Sequence, residues 1–89
     1  MSTAVMTRWT VELTFDEDPD HTIATATLRI PNGQQFTSRG HARRHPKDRP
    51  AATIGEELAG ARALSALAHD LLEYSATEVE HNARRGPGR

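Results

Sequence analysis

A dense group of cationic side chains between residues 39 and 49 is the strongest chemical feature of this chain. Five cations fall in these eleven residues with one acid, Asp48, among them, which gives the segment a charge of about +4. The five cations are Arg39, Arg43, Arg44, Lys47 and Arg49. Arginine forks donate paired hydrogen bonds to phosphate oxygens. We therefore predict an RNA- or anion-binding site here, with one alternative: a solvated loop whose cations balance the acids of a neighbouring helix or subunit.

The histidines and serines do not form a pattern typical of a metal or catalytic site. His41 and His45 are four residues apart on a predicted strand and loop, and no third ligand accompanies them at a fixed spacing. Ser65 and His69 have helical i, i+4 spacing, but nucleophilic catalysis also requires an orienting acid and an oxyanion site. The absence of cysteine excludes thiolate chemistry. We expect no enzyme activity, no catalytic or metal-binding residue, no cofactor and no small-molecule substrate.

Three segments with strand patterns must position the cations. Residues 8–15 and 22–30 alternate between apolar and polar side chains, a period typical of half-buried strands. An acidic turn containing Pro19 separates these two segments, and residues 31–33, Pro-Asn-Gly, favour a tight second turn. A third strand is predicted over 35–43.

The two faces of the predicted sheet differ in character. We expect the core to be anchored by Trp9, Phe15 and Phe36, with small residues facing inward from the second and third strands. The inward set of the third strand is Phe36, Ser38, Gly40 and Ala42. The outward positions carry threonines, His41 and arginines but no Phe, Tyr or Trp, so a reader of single-stranded RNA by base stacking is not expected.

A long helix follows the cationic segment. Thr53 and Glu56 form a capping-box pattern, which predicts a helix beginning at Ile54 and running to about Tyr74. Apolar residues at intervals of three and four predict one buried stripe. The stripe consists of Ile54, Leu58, Ala61, Leu64, Leu67, Ala68, Leu71 and Leu72, with Gly55, Ala59, Arg62, Ala66, His69 and Glu73 opposite.

Two further features of the helical part carry predictions. A second capping-box pattern, at Thr77 and Glu80, predicts a kink over 75–77 and a short helical turn to Ala83. Gly60 costs a helix about 1 kcal/mol relative to alanine, which predicts tight packing against another backbone.

These elements predict an α+β domain of topology βββα, a three-stranded antiparallel sheet with one long helix on one face. We expect a flexible N-terminus over 1–7, a single domain over 8–83 and a disordered basic tail over 84–89. Eighty-nine residues, 36% of them apolar, suffice for one small core. Residues 1–7 have no apolar core typical of a signal peptide and no segment is long enough to span a membrane, so we expect a cytoplasmic protein that does not bind membranes.

Four sequence motifs resemble those of a known protein family. They are WTVEL at 9–13, A-x-A-x-L-R at 24–29, G-x-A-R-x-x-P-x-D-R at 40–49 and I-G-x-E-L-x-x-A-R-A-L-S-x-L at 54–67. In this order they resemble a family of small actinobacterial proteins of unknown function (domain of unknown function 1876). The resemblance implies a fold like that of double-stranded-RNA-binding domains without their first helix, and similar to ribosome hibernation promoting factors. Glu56 and Glu57 replace the lysines that bind duplex RNA in that fold, so that binding mode is not expected.

The resemblance and the cationic patch together favour a non-enzymatic, stress- or dormancy-related protein that associates with the ribosome or its RNA. The alternative is a protein-interaction module that binds an acidic protein or a second copy of itself and no RNA. Three strands leave open sheet edges, which are templates for pairing with another chain. We therefore predict a homodimer.

Overall fold

The computed structural model describes residues 4–44 and 52–85, which form three strands and one helix. The strands are β1 (Val11–Glu17), β2 (His21–Arg29) and β3 (Gln35–Arg43), and the helix is α1 (Ala52–Arg85). Both strand pairs are antiparallel, and the sheet order is β1-β2-β3. The predicted α+β fold with βββα topology is confirmed. β3 has the predicted bounds, whereas β1 begins three residues later and ends two residues later than predicted.

Local hydrogen bonds in the two turns fix the register of the sheet. In the first turn, the backbone N–H of Asp20 donates to Oδ1 of Asp18 over 2.9 Å. In the second, Gly33 has a φ of 93°, a conformation that glycine adopts without a steric cost, and its N–H donates to the carbonyl of Ile30. The resulting register places Arg29 opposite Gln35 and His21 opposite Arg43.

Small residues bring α1 close to β3. A Cβ built on Gly40 would lie 2.3 Å from the carbonyl oxygen of Ala59 and 2.3 Å from the nitrogen of Ala63. Only glycine therefore permits this approach of helix and strand. The buried apolar core is Ala24, Ala26, Leu28, Ile30, Phe36, Ala42, Ala59, Ala63 and Leu67. Its strand members are inward positions that the alternating pattern predicted.

The predicted buried stripe of the helix is wrong in phase. Ala59, placed on the solvent side by the sequence pattern, is fully buried, and the helix contacts the sheet through Ala59, Ala63 and Leu67. Within the predicted stripe Leu67 is buried and Leu71 is partly buried. The exposed members are Ile54, Leu58, Ala61, Leu64, Ala68 and Leu72. The error arose because apolar residues lie on both sides of the helix, and close packing selects the side with alanines.

The aromatic anchors are also only partly as predicted. Phe36 is buried, but Phe15 is 37% exposed and Trp9 is 48% exposed. The reason is the position of α1, which packs mainly on β2 and β3 and leaves the inner face of β1 at the margin of the core. Three predictions for the helix also fail. It begins at Ala52 and not at Ile54, so Thr53 lies within the helix and does not cap it. It is continuous to Arg85 without a kink, and Gly60 contacts the ring of Phe15 rather than a backbone.

Candidate functional site

The outer face of the sheet, opposite the helix, carries the part of the cationic segment that the structure describes. Arg39 and Arg43 project from β3 on this face and are exposed. Within the described ranges neither guanidinium forms a hydrogen bond or an ion pair. Lys47 and Arg49 lie outside the described residues. We call Arg39, Arg43 and their outward neighbours on β3 the cationic edge.

Arg44 has a different position from the other predicted site residues. Its Nη2 lies 2.6 Å from Oδ1 of Asp20, and its Nε donates to the carbonyl of Pro19 over 3.3 Å. The backbone N–H of Arg44 also donates to the carbonyl of Asp20 over 2.8 Å. Arg44 therefore ties the end of β3 to the β1–β2 turn, and its charge is largely balanced there.

Two histidines meet beside the arginines. The rings of His21 and His41 stack with centroids 5.4 Å apart and planes 17° from parallel. Nδ1 of His41 lies 3.4 Å from Nε2 of His21, close enough for one ring to donate a hydrogen bond to the other. His21 was not among the predicted site residues. The register across the β2–β3 turn was the signal that could have found it, because it pairs His21 with Arg43.

Charge changes sign across the outer face. β1 contributes Glu12 and Asp16 to this face, and β3 contributes Arg39 and Arg43. Between them, β2 contributes His21, Ile23, Thr25, Thr27 and, at its far end, Arg29. An extended polyanion would be repelled at the β1 side and attracted at the β3 side. The arrangement suits a phosphate chain that runs along the cationic edge, and it does not suit one that crosses the sheet.

An open depression of about 600 Å³ lies at the end of the cationic edge. Its walls are Asp18, Pro19, Asp20, His21, Arg43 and Arg44. Acids and cations alternate around it, and the ion pair between Asp20 and Arg44 crosses one wall. This mixture of charges offers no uniform anion cradle, so the depression extends the cationic edge without forming a separate anion site.

The pair considered for catalysis lies on the exposed side of the helix. Nε2 of His69 is 3.0 Å from Oε2 of Glu73, one turn along the helix, and both side chains are 69% exposed. Ser65 is exposed on the same element. Among the described residues no group of three or more histidine and acidic side chains could hold a metal ion.

Two acids, Glu56 and Glu57, lie in the second turn of the helix, and its first turn contains none. Glu56 hydrogen-bonds to Glu17 at the end of β1, and this contact raises the pKa of Glu17 from 4.5, with smaller contributions from desolvation and carboxylate repulsion. Two adjoining carboxyl groups would repel phosphate at this helix end. The geometry is consistent with the prediction that the duplex-RNA mode does not apply.

A second surface is apolar. Trp9, Val11 and Phe15 are partly exposed at the β1 margin, and Leu64, one turn after Gly60 on the same side of the helix, is 41% exposed. Further large apolar side chains project from the solvent side of α1: Ile54, Leu58, Leu72 and Val79. Large exposed apolar groups in such number are typical of an interaction surface.

The described part of α1, although 34 residues long, has no stretch apolar enough to span a membrane.

Comparison with known proteins identifies relatives over nearly the whole chain. Residues 7–87 match the model of the Rv2632c-like family. The uncharacterized protein Mb1767 of Mycobacterium bovis is 40% identical over 76 residues, which are 85% of this chain and 80% of Mb1767. The uncharacterized protein Rv2632c of Mycobacterium tuberculosis is 40% identical over 70 residues, 79% of this chain and 74% of the relative. A crystal structure of Rv2632c superposes with a TM-score of 0.82 at 38% identity, covering 90% of this chain and 94% of that one.

Proposed function

Because the chain belongs to the Rv2632c-like family, whose matched relatives are uncharacterized, we propose a function from its surface: a non-enzymatic protein that binds RNA through the cationic edge and the loop after it. The RNA is ribosomal in this proposal, and the protein acts in a stress or dormancy response in the cytoplasm. The sites are Arg39, Arg43, Arg44, Lys47 and Arg49. Similarity to ribosome hibernation promoting factors is part of this proposal.

The observation that carries the proposal is that the side chains of Arg39 and Arg43 are exposed and have no partner among the described residues. They alternate with His41 along one strand, so all three donors point away from the helix on the same face. In contrast, Arg62 donates from Nη1 to the carbonyl of His41 over 2.7 Å and serves the packing of helix on strand. Exposed arginines without a partner among the described residues suit phosphate oxygens.

Co-sedimentation with ribosomes and binding to ribosomal RNA fragments at several salt concentrations test this function. If all five cations contact phosphates, the slope of log K against log salt is about −4. The double substitution Arg39→Gln, Arg43→Gln should make that slope shallower by about 2 and weaken RNA retention. The control Arg8→Gln removes a charge from an exposed position outside the cationic edge and the helix, and it should leave the slope unchanged. Equal retention by the wild-type protein and the Arg39, Arg43 variant would exclude RNA binding at the cationic edge.

A second candidate function is protein–protein interaction, and the exposed apolar side chains of β1 and α1 specifically favour it. In this alternative the chain binds a second copy of itself or an acidic protein, and no RNA. It predicts a defined complex by size-exclusion chromatography, with no RNA retention at any salt concentration. The two functions are separable because the cationic edge and the apolar side of α1 are on opposite sides of the molecule.

A further inference from the structure

The solvent side of α1 carries an apolar stripe with the spacing of a helix-pairing seam. Its positions follow one another at alternating intervals of four and three residues. They are Ile54, Leu58, Ala61, Ser65, Ala68, Leu72, Ser75 and Val79. This average spacing of 3.5 residues is typical of a helix that packs against another helix along its length. We call these eight residues the outward stripe.

The outward stripe is well separated from the core. At 3.6 residues per turn its centre lies roughly 150° around the helix from the positions that face the sheet, such as Ala59 and Ala63. Its large side chains are exposed: Leu58 by 46%, Leu72 by 68% and Val79 by 67%. The sheet of the same molecule therefore cannot cover the stripe.

The remaining residues of this sequence are also unsuited to covering it. Residues 1–3, 45–51 and 86–89 lie outside the described ranges, and the apolar residues among them are Met1 and Ala51. These positions add little apolar sequence beside a stripe that extends from Ile54 to Val79. A stripe of this length suits the surface of another molecule.

The length of α1 indicates what that molecule is. The helix has 34 residues, about 51 Å, whereas a strand of nine residues extends about 30 Å. The last contacts with the sheet side are at Tyr74, whose ring packs edge-to-face on Phe36 and whose hydroxyl accepts from Asn32 over 3.1 Å. Every side chain from Ser75 to Arg84 is exposed. More than two turns of helix therefore project beyond their own sheet and are available to a partner.

We propose that the outward stripe binds the same stripe of a second copy of this chain, with the two helices antiparallel. An antiparallel pair places the projecting turns of each helix beside the start of the other, so both ends gain a neighbour. It also opposes the two helix dipoles, whereas a parallel pair would align them. This inference deepens the self-association part of the second candidate function and rests on it, and it is independent of whether the cationic edge binds RNA.

The sizes of the stripe residues fit such a pair. Its central positions are small, Ala61, Ser65 and Ala68, and its large residues lie toward both ends. Small residues at the centre permit close approach of the two backbones where the helices cross. Leu58 and Leu72 then lie on either side of the crossing and bury their exposed apolar area against the partner.

Sedimentation velocity of matched glutamate variants tests which surface pairs. The wild-type chain should be a dimer at tens of micromolar, and Leu72→Glu should raise the dissociation constant at least tenfold, because it places charges in the seam. Val11→Glu introduces the same charge at the β1 margin and Val5→Glu introduces it outside the elements, and both should leave the dimer intact. Since Leu72 is exposed in the monomer, its variant should keep the wild-type circular dichroism spectrum.

The outcomes distinguish the surface from the function. A dimer that survives Leu72→Glu but is lost in Val11→Glu would overturn the stripe as the interface and leave self-association standing. A wild-type chain that stays monomeric at every concentration tested would overturn both the stripe interface and self-association. Neither result depends on RNA retention, which the Arg39, Arg43 variant tests separately.

Cysteine cross-linking tests the direction of the helices, since the natural sequence contains no cysteine. In an antiparallel pair Ser65→Cys, near the crossing, should form a disulfide with its own copy, whereas Ile54→Cys and Val79→Cys should form one only when the two variants are mixed. Self-linking of Ile54→Cys and of Val79→Cys would indicate parallel helices and overturn the antiparallel arrangement.

Discussion

Single residues set how closely the helix approaches the sheet and how its start responds to pH. Gly40 permits backbone contact between β3 and α1. Ser38, two residues earlier on the same inner face, is buried, and its hydroxyl donates to Oδ2 of the exposed Asp70 over 2.7 Å. These two contacts fix the position of the helix along β3, whereas apolar burial alone would allow it to slide.

Substitution of Gly40 should therefore be far more costly than substitution of the helix glycine. Gly40→Ala places a methyl group against the backbone of α1, so we expect a loss of about 3 kcal/mol or more in the free energy of unfolding. Gly60→Ala places one at ordinary contact distance, 3.6 Å from the ring of Phe15, and should stabilise the helix by up to about 1 kcal/mol. Urea unfolding measures both. Similar stabilities for the two variants would contradict this account of the contact.

The contact between Glu17 and Glu56 predicts a pH dependence. The folded-state pKa of Glu17 is raised above 4.5, so the stabilising contribution is present below that pH and is lost as the pH rises through the folded-state value. Glu17→Gln keeps a hydrogen-bonding group without the titration. Its Tm should match that of the wild-type protein in acid and exceed it increasingly as the pH rises.

Glu12→Gln is the control for this pH dependence, because it removes a carboxylate from the opposite face of the same strand. Its effect on Tm should not follow the same pH profile. If Glu17→Gln and Glu12→Gln gave parallel curves, the cause would be general charge and not the contact with Glu56.

At the scale of the element, α1 has two apolar sides with different partners. The alanine-rich side packs on β2 and β3, where Ala59 and Ala63 are fully buried. The leucine-rich side faces solvent and forms the outward stripe. Side-chain size, and not only hydrophobicity, decides which side meets the sheet, since Gly40 leaves no room for a leucine at that point.

An alanine-to-leucine pair tests this phase of the helix. Ala63→Leu should lower the free energy of unfolding by about 1–3 kcal/mol, because it overfills the contact with β3. Ala76→Leu changes the same residue type at an exposed position of the same helix and should stay within about 0.5 kcal/mol of the wild-type value. Chemical denaturation followed by circular dichroism distinguishes the two. A larger loss for Ala76→Leu would restore the phase predicted from the sequence.

At the scale of the whole molecule, the two proposed interfaces are compatible. The chain is nearly neutral, with a formal charge of −1, yet the β1 side of the outer sheet face is acidic and the cationic edge is basic. The outward stripe is on the other side of the molecule from this face. A dimer through the stripe would therefore carry two cationic edges facing away from each other. Each could reach a separate segment of one RNA, which raises avidity without any new contact.

The sequence by itself determined the strands and the presence of one long helix. Alternation over β2 and β3 and the turn at Gly33 require those elements, because a period of two and a positive φ are local properties of the chain. It also located the charges. Four of the predicted core residues, Ala24, Ala26, Leu28 and Ala42, follow directly from that alternation.

Only the tertiary structure decided which side of the helix is buried, which arginines are unpaired and where the apolar surface remains. The fit of Ala59 and Ala63 onto Gly40, the ion pair of Arg44 with Asp20 and the approach of His21 to His41 join segments about twenty residues apart. Local patterns contain no information on such distances. A helix with two apolar sides can pack in two phases, and close packing against the opposing backbone selects one of them.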